Sequence, residues 1–341
     1  MTPLPIAPIE QDDCLIMYTS GTTGKPKGAL ITHANMVVQN VYLQPIEWGI
    51  SKNDRFLAIT PLAHRSGAAR LFNALGLGGS LVIMEKFNED HALASIERER
   101  ITVTGLVPAV IRMLLPKIRT RPECCASLRR IIVATEAFPV ALKQEILSLL
   151  PNAEIHSLFG STEVLLTNLD HAGQFTHPAS VGQPLPGIEV RLVDDAIQDV
   201  PVGDVGELLV RSGEPGRWAT FRGYFRQAEE TAKTIRDGWV HTGDMARADA
   251  GGFLNIVDRK KDMVLRGRSL RHPDHRTLPR PSGRLQEAKA HRVRRFAATQ
   301  RHRQGDEERT AGACSRDDVI RLGVGVKIAE PFSHTGAQHA V

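Results

Sequence analysis

The sequence predicts an α/β fold: a parallel βαβ sheet through its first half, a small β-rich subdomain after it, and a basic tail. Three observations carry this. From about residue 13 to 180, short apolar runs alternate with amphipathic helical stretches, the pattern of strands joined by crossover helices. After about residue 180 short β segments punctuated by Gly and Pro take over. After Gly267 the chain turns to Arg, Pro, His and Gln with little apolar periodicity, so that stretch is not expected to fold alone.

Taken in order, residues 13–19 read as a short buried strand ending at a Gly/Thr-rich turn. A helix is expected from about Thr32, with Thr32 and Asn35 as caps. Residues 56–60 form a strand stopped by Pro61, 66–77 a helix and 80–84 a strand. An amphipathic helix over 90–100 leads to a strand over 103–107 and a helix over 108–115. A strand over 128–134, a helix over 140–150 and a strand over 155–159 complete the alternation. The β-rich part is expected to hold segments at 181–193, 206–211 and 252–257.

Composition sets the class. The 341 residues are 42% hydrophobic and 24% charged, ordinary globular usage with length for about two domains. No apolar run reaches the roughly 18 residues of a membrane helix. The first residues, Met1-Thr2-Pro3-Leu4-Pro5, show no charged region followed by an apolar stretch. The four cysteines have no CxxC spacing, which argues against a disulfide framework or structural zinc, and a reduced, cytoplasmic protein is expected. The net charge of +5 is unevenly spread: residues 268–341 hold 15 Lys+Arg against 8 Asp+Glu. A solvated extension or a phosphate-binding arm would both give that excess. With only Phe296 and Phe332 as aromatics there, no stacking platform accompanies it, and no specific nucleic-acid partner is expected.

The densest chemical signal is Tyr18-Thr-Ser-Gly-Thr-Thr-Gly-Lys-Pro-Lys-Gly28. Gly21, Gly24 and Gly28 permit close backbone approach, while Thr19, Ser20, Thr22 and Thr23 offer hydroxyls and Lys25 and Lys27 offer cations. Such a loop suits phosphate oxygens. It is not a Walker A loop, because Pro26 follows Gly24-Lys25 where that pattern needs Lys-Ser/Thr.

At this string the chain resembles the adenylate-forming (AMP-binding) superfamily, nearest to acyl-CoA synthetases. Four further stretches resemble family motifs in the family's order: Pro61-Leu-Ala-His-Arg-Ser-Gly67, Phe159-Gly-Ser-Thr-Glu163, His241-Thr-Gly-Asp244 and Asp258-Arg-Lys-Lys-Asp262. The resemblance implies ATP-dependent activation of a carboxylic acid, most simply a fatty acid, to acyl-AMP with pyrophosphate release, then thioester formation with CoA. It implies ATP, Mg²⁺ and CoA, with a small-molecule carboxylic acid as partner. Glu163 is implied as the Mg²⁺ ligand, a hard oxygen donor. Thr162 would donate to the α-phosphate, and Lys25 is the catalytic candidate of the loop that would hold the β- and γ-phosphates as pyrophosphate leaves. His64 would shape the acyl-pocket entrance, unless it is a satisfied core histidine. Thr19, Ser20, Gly21, Thr22, Thr23, Gly24 and Lys27 would hold the phosphates, Phe159 would stack on adenine, Glu136 would lie on the adenine side, and Gly160 and Ser161 would complete the cofactor-binding set. Phe159 stands where the family has Tyr. Asp244, an acceptor when ionised, would take the ribose hydroxyls with Arg259 beside it. Lys261 resembles the hinge residue about which the family's small domain turns.

The implied organisation is an incomplete AMP-binding large domain over 1–257 (βαβ part about 13–180, β-rich part about 181–257), a hinge motif over 258–267 and the tail over 268–341. Only 17 residues precede Tyr18, and 268–341 does not resemble the family's lysine-bearing C-terminal domain. The chain therefore reads as a truncated member whose tail has the texture of a shifted reading frame. A catalytically incompetent fragment retaining at most nucleotide binding is the alternative.

Overall fold

The computed structural model describes residues 12–19, 26–134 and 138–260, together with the backbone of 326–329. The first strands are β1 (Asp13–Thr19) and β2 (Lys27–Thr32), an antiparallel pair closing with Thr19 opposite Lys27. The helix α1 (His33–Val37) starts on a capping box: Asn35 N donates to the Thr32 hydroxyl and Thr32 N to the Asn35 carbonyl oxygen. A wide π turn over Val38–Leu43 leads to α2 (Gln44–Trp48). The alternation follows as β3 (Arg55–Ala58), α3 (Arg65–Leu77), β4 (Ser80–Met84), α4 (Glu89–Glu99), β5 (Val103–Leu106) and α5 (Pro108–Thr120). It continues through β6 (Arg130–Val133), α6 (Val140–Leu149) and β7 (Glu154–Ser157). Asn88 caps α4 through His91 N, with Glu89 and Asp90 in the first turn where the helix dipole favours anions.

Strands β3 to β7 lie in one parallel sheet in the order β4-β3-β5-β6-β7. Alternate strand residues face opposite sides. Leu57, Val82, Ile131 and Val133 pack against α4, α5 and α6, while Phe56, Leu81, Val103 and Ile132 form a smaller cluster with Trp48 and Ala74.

The remaining elements are short: β8 (Thr167–Asn168), α7 (Gly173–Thr176), β9 (Gln183–Pro184), β10 (Glu189–Val193), β11 (Gly206–Arg211), β12 (Gly223–Tyr224), α8 (Ala228–Thr234), β13 (Ile235–Arg236), β14 (Trp239–Ala248) and β15 (Leu254–Arg259). Strands β10, β11, β14 and β13 make an antiparallel sheet, and β15 pairs β14. A second core joins this part to the first hairpin through Met17, Ile31, Leu208, Val210, Phe221 and Val240.

Three differences from the sequence expectations have physical causes. The first strand is not buried: among the described residues β1 is the edge of the order β1-β2-β12, and Ile16 and Tyr18 are exposed. Strands β2 and β14 were not expected. The first lies between the phosphate-loop motif and the α1 cap, and the second contains His241-Thr-Gly-Asp244, whose polar residues mask its alternation. Inside the stretch read as a basic tail, Val326–Ala329 form β16, parallel to β4 at the edge of the main sheet. Among the described residues no helix is long and apolar enough to cross a membrane.

Candidate active site

The Phe159-Gly-Ser-Thr-Glu163 run follows β7 and is folded back on itself. Ser161 N donates to the Val164 carbonyl at 2.8 Å, and Leu166 N donates to the Phe159 carbonyl at 3.1 Å. Gly160 is required here: a Cβ would meet the Val164 carbonyl oxygen at 2.6 Å. This turn presents Glu163. Its Oε2 accepts from the Ser161 hydroxyl at 2.7 Å and its Oε1 from the Tyr224 hydroxyl at 2.9 Å. The two hydroxyl donors fix the direction of the carboxylate. Burial and the adjacent Glu163 charge push the Tyr224 phenol well above its ordinary value.

The base of the turn is tied to α3. Arg65 Nη1 donates to the Thr162 carbonyl at 2.5 Å, and Nη2 donates to the Gln39 side chain. Burial pulls the Arg65 guanidinium down to about 10, with the Glu163 charge opposing that shift. The Thr162 hydroxyl remains half-buried. His64 precedes α3 with extended backbone and is exposed, so the core-histidine reading is overturned: the Pro61 turn lifts it out of the sheet. Phe159 is half-buried and packs against the second core.

Thr19 and Lys27 close the hairpin from which the phosphate-loop motif springs. Ser20–Lys25 lie outside the described residues, as do Glu136 and Lys261. Lys27 is not a free cation. Its ammonium is ion-paired with Glu230 of α8 and lies 5.1 Å over the Tyr224 ring. Glu230 also accepts from Lys233 at 2.7 Å, and the two lysines lower its carboxyl to about 2.

Asp244 sits in β14 opposite Arg259 of β15. Asp244 is 4% exposed, and its carboxylate lies 2.6 Å from Arg259 Nε. Burial raises its carboxyl, Arg259 lowers it, and the Glu163 charge raises it again, which brings the two carboxylates into one electrostatic site. Asp244 N donates to the Thr242 hydroxyl at 3.0 Å, holding the turn. Next to it, Lys260 bridges Glu207 at 2.8 Å and Asp195 at 2.9 Å, anchoring the chain immediately before Lys261.

The site therefore unites Lys27, Glu163 and Asp244 from three separate motifs, with Tyr224 touching two of them. Tyr224, Arg65 and Glu230 carry this arrangement and were not singled out from the sequence. Arg65 is adjacent to His64, and Tyr224 is one of only three tyrosines, but neither signal states a contact. The donor set fits a magnesium–nucleotide: one carboxylate held by two hydroxyls matches a cation that takes most of its ligands from phosphates and water. Among the described residues no cluster of three or more His, Cys, Asp or Glu offers an all-protein metal cage.

The family model "AMP-binding enzyme" matches residues 2–225. A feruloyl-CoA synthase of Amycolatopsis sp. is 32% identical over 267 residues, covering 77% of this chain and 53% of that protein. A medium/long-chain-fatty-acid–CoA ligase of Mycobacterium tuberculosis is 36% identical over 272 residues, covering 78% and 46%. The o-succinylbenzoate CoA synthetase of Bacillus subtilis, solved with ATP and magnesium, superposes with a TM-score of 0.67 at 29% identity, covering 76% and 52%. The chain spans about half the length of the curated relatives it matches. On the motifs, the sheet order and these matches, the chain belongs to the AMP-binding enzymes, the adenylate-forming family that includes the acyl-CoA ligases.

Proposed function

We propose that this chain carries the acid-activating half of a carboxylic acid–CoA ligase. A carboxylate oxygen of the acid attacks the α-phosphorus of ATP, the bond to the β-phosphate oxygen breaks, and acyl-AMP and pyrophosphate result. In a second step the CoA thiol displaces AMP, giving thioester and a proton. Little covalent chemistry falls to the protein in the first step, so positioning and charge stabilisation dominate.

The observation that carries this reading is Glu163, fixed by the Ser161 and Tyr224 hydroxyls within the field of Asp244. Glu163 would hold Mg²⁺, which supplies charge neutralisation at the phosphate oxygens. The Thr162 hydroxyl would donate to the α-phosphate, and the loop over 19–25 with Lys25 would steady the departing pyrophosphate. Asp244 would accept from the ribose hydroxyls while Arg259 neutralises it. Phe159 and Gly160 would border adenine with Ser161 and Glu136, and His64 would stand at the acid entrance. Lys27, paired with Glu230, would orient the base of the loop. Residues 258–267 would act as the hinge about Lys261, and thioester formation is assigned to the whole protein. A fatty or aromatic acid is the substrate class suggested by the relatives' names.

Pyrophosphate release with Mg·ATP and a panel of short, long and aromatic acids tests the proposal. Release that requires an acid and is lost in Glu163→Gln is expected. No release from folded protein that still binds ATP would overturn the activity and leave a nucleotide-binding fragment.

A further inference from the structure

The chain leaves α5 through a 3-10 turn over Pro122–Cys125, which sets two cysteines side by side. Both are free thiols, 3% and 2% exposed, and their sulfurs stand 3.8 Å apart. They belong to the core between the sheet and α4, α5 and α6. Cys125 also lines a cavity of about 170 Å³ between this turn and the segment that joins α6 to β7. The buried walls are apolar, formed by Leu128, Leu150 and Ala153. The rim meets solvent at Glu123, Pro151 and Asn152, all exposed. This place is separate from the candidate active site: residues 151–153 precede β7, whereas the Glu163 turn follows its other end.

Burial raises both thiols above their ordinary value, and for Cys125 the neighbouring sulfur adds to the rise. At neutral pH the pair is therefore held as thiols, poor partners for alkylating agents and peroxide, which need the thiolate. Two neutral thiols remain competent for a centre that takes up sulfur and expels water. The spacing favours bridging over closure. A disulfide needs its sulfurs about 2.05 Å apart, so this pair would have to close by almost half. One thiophilic centre bonded to both sulfurs at about 2.3 Å, the zinc–thiolate length, with a near-tetrahedral angle spans about 3.8 Å. Structural zinc itself takes four ligands. Among the described residues no cluster of three or more His, Cys, Asp or Glu offers them. A trivalent centre with two sulfurs and one carbon is complete with this pair alone. Its carbon substituent has the cavity beside Cys125, similar in size and lining to the roughly 150 Å³ apolar cavity that takes benzene.

We propose that Cys124 and Cys125 form a vicinal dithiol site for aryl-substituted trivalent arsenicals, with the aryl group seated in the cavity beside Cys125. The oxygen of an arsenoxide takes the two thiol protons and leaves as water while two arsenic–sulfur bonds form. Arsenic stays trivalent, and no oxidant or reductant is consumed. The site is independent of the acid-activating reading.

Phenylarsine oxide, added in equimolar amount to the reduced full chain and followed by intact mass spectrometry, tests this. The expected product carries one phenylarsenic group per chain with two hydrogens lost and an unchanged far-UV circular dichroism spectrum. It should survive excess 2-mercaptoethanol and be reversed by dithiothreitol, as a two-sulfur bridge requires. Unfolding the adduct in iodoacetamide should label Cys14 and Cys314 and leave Cys124 and Cys125 unlabelled. Cys124→Ala and Cys125→Ala should each lose the stable adduct, and if either does not fold the mapping on the wild-type chain decides. Arsenite carries no aryl group. The preference for phenylarsine oxide over arsenite should be at least tenfold larger on the folded chain than on the chain unfolded in urea. No adduct, a bridge through Cys14 or Cys314, release by the monothiol, or an adduct that forms only with loss of the fold would overturn the site. The same preference in the folded and unfolded chain would overturn the seating of the aryl group in the cavity.

Discussion

Gly160→Ala probes the turn that presents Glu163. An added Cβ would stand 2.6 Å from the Val164 carbonyl oxygen and 3.3 Å from the Leu165 Cα. Both are backbone atoms, so no side chain can rotate away. The turn must open by at least about 0.4 Å for the first contact to reach 3.0 Å, the lower limit of real Cβ contacts. Ser161 N donates into the same carbonyl, so opening stretches that 2.8 Å bond as well. Overpacking of this kind costs about 1–3 kcal/mol. For a folded body of this size that lowers the melting temperature by roughly 2–12 °C. The larger consequence is functional: a displaced Glu163 would reduce acid-dependent pyrophosphate release by about ten- to hundred-fold, since sub-ångström to ångström misplacement is amplified in positioning catalysis. Gly187→Ala is the control. Gly187 has φ +82° and no atom within 4 Å of an added Cβ, so the substitution costs backbone strain of about 1–2 kcal/mol away from the site. Thermal unfolding and pyrophosphate release on both variants separate the effects. Unchanged release and melting temperature in Gly160→Ala would refute the reasoning, because the turn would then yield without moving Glu163.

Two pH dependences follow from named groups. Glu230 has its carboxyl lowered to about 2, so the stability from its pairs with Lys27 and Lys233 is present above the unfolded value near 4.5 and lost as pH falls towards 2. Glu230→Gln should flatten acid unfolding over that interval, and an unchanged acid curve would count against the pairing. His156 is buried in β7, and burial, ahead of the Arg130 charge, lowers its ring to about 4. The unfolded chain binds a proton near pH 6.5 that the folded chain refuses, so this part of the stability is complete above 6.5 and disappears as pH falls to 4. Denaturant midpoints of wild type and His156→Gln should differ in slope between pH 4 and 6.5, and parallel curves would exclude the histidine.

Much of the candidate site is legible in the sequence because its groups are local. Glu163 needs only Ser161 two residues away to begin its hydrogen bonding, and the Thr32–Asn35 cap is written in four consecutive residues. What the sequence determined by itself was the parallel sheet, through its apolar alternation, and the family, through motifs whose spacing survives without coordinates. The tertiary structure decided what meets across long chain separations. Lys27 and Glu230 are 203 residues apart, Tyr224 and Glu163 are 61 apart, and Arg70 reaches Gln44 across 26. Residue type states that Lys27 can bind phosphate and that Arg70 can be solvated. Only packing shows that the first is already paired and that the second is buried with Nε and Nη1 unpartnered among the described residues. The physical reason is that propensity and periodicity act within a few residues, whereas charge compensation and desolvation depend on which distant groups the folded chain brings within a few ångströms.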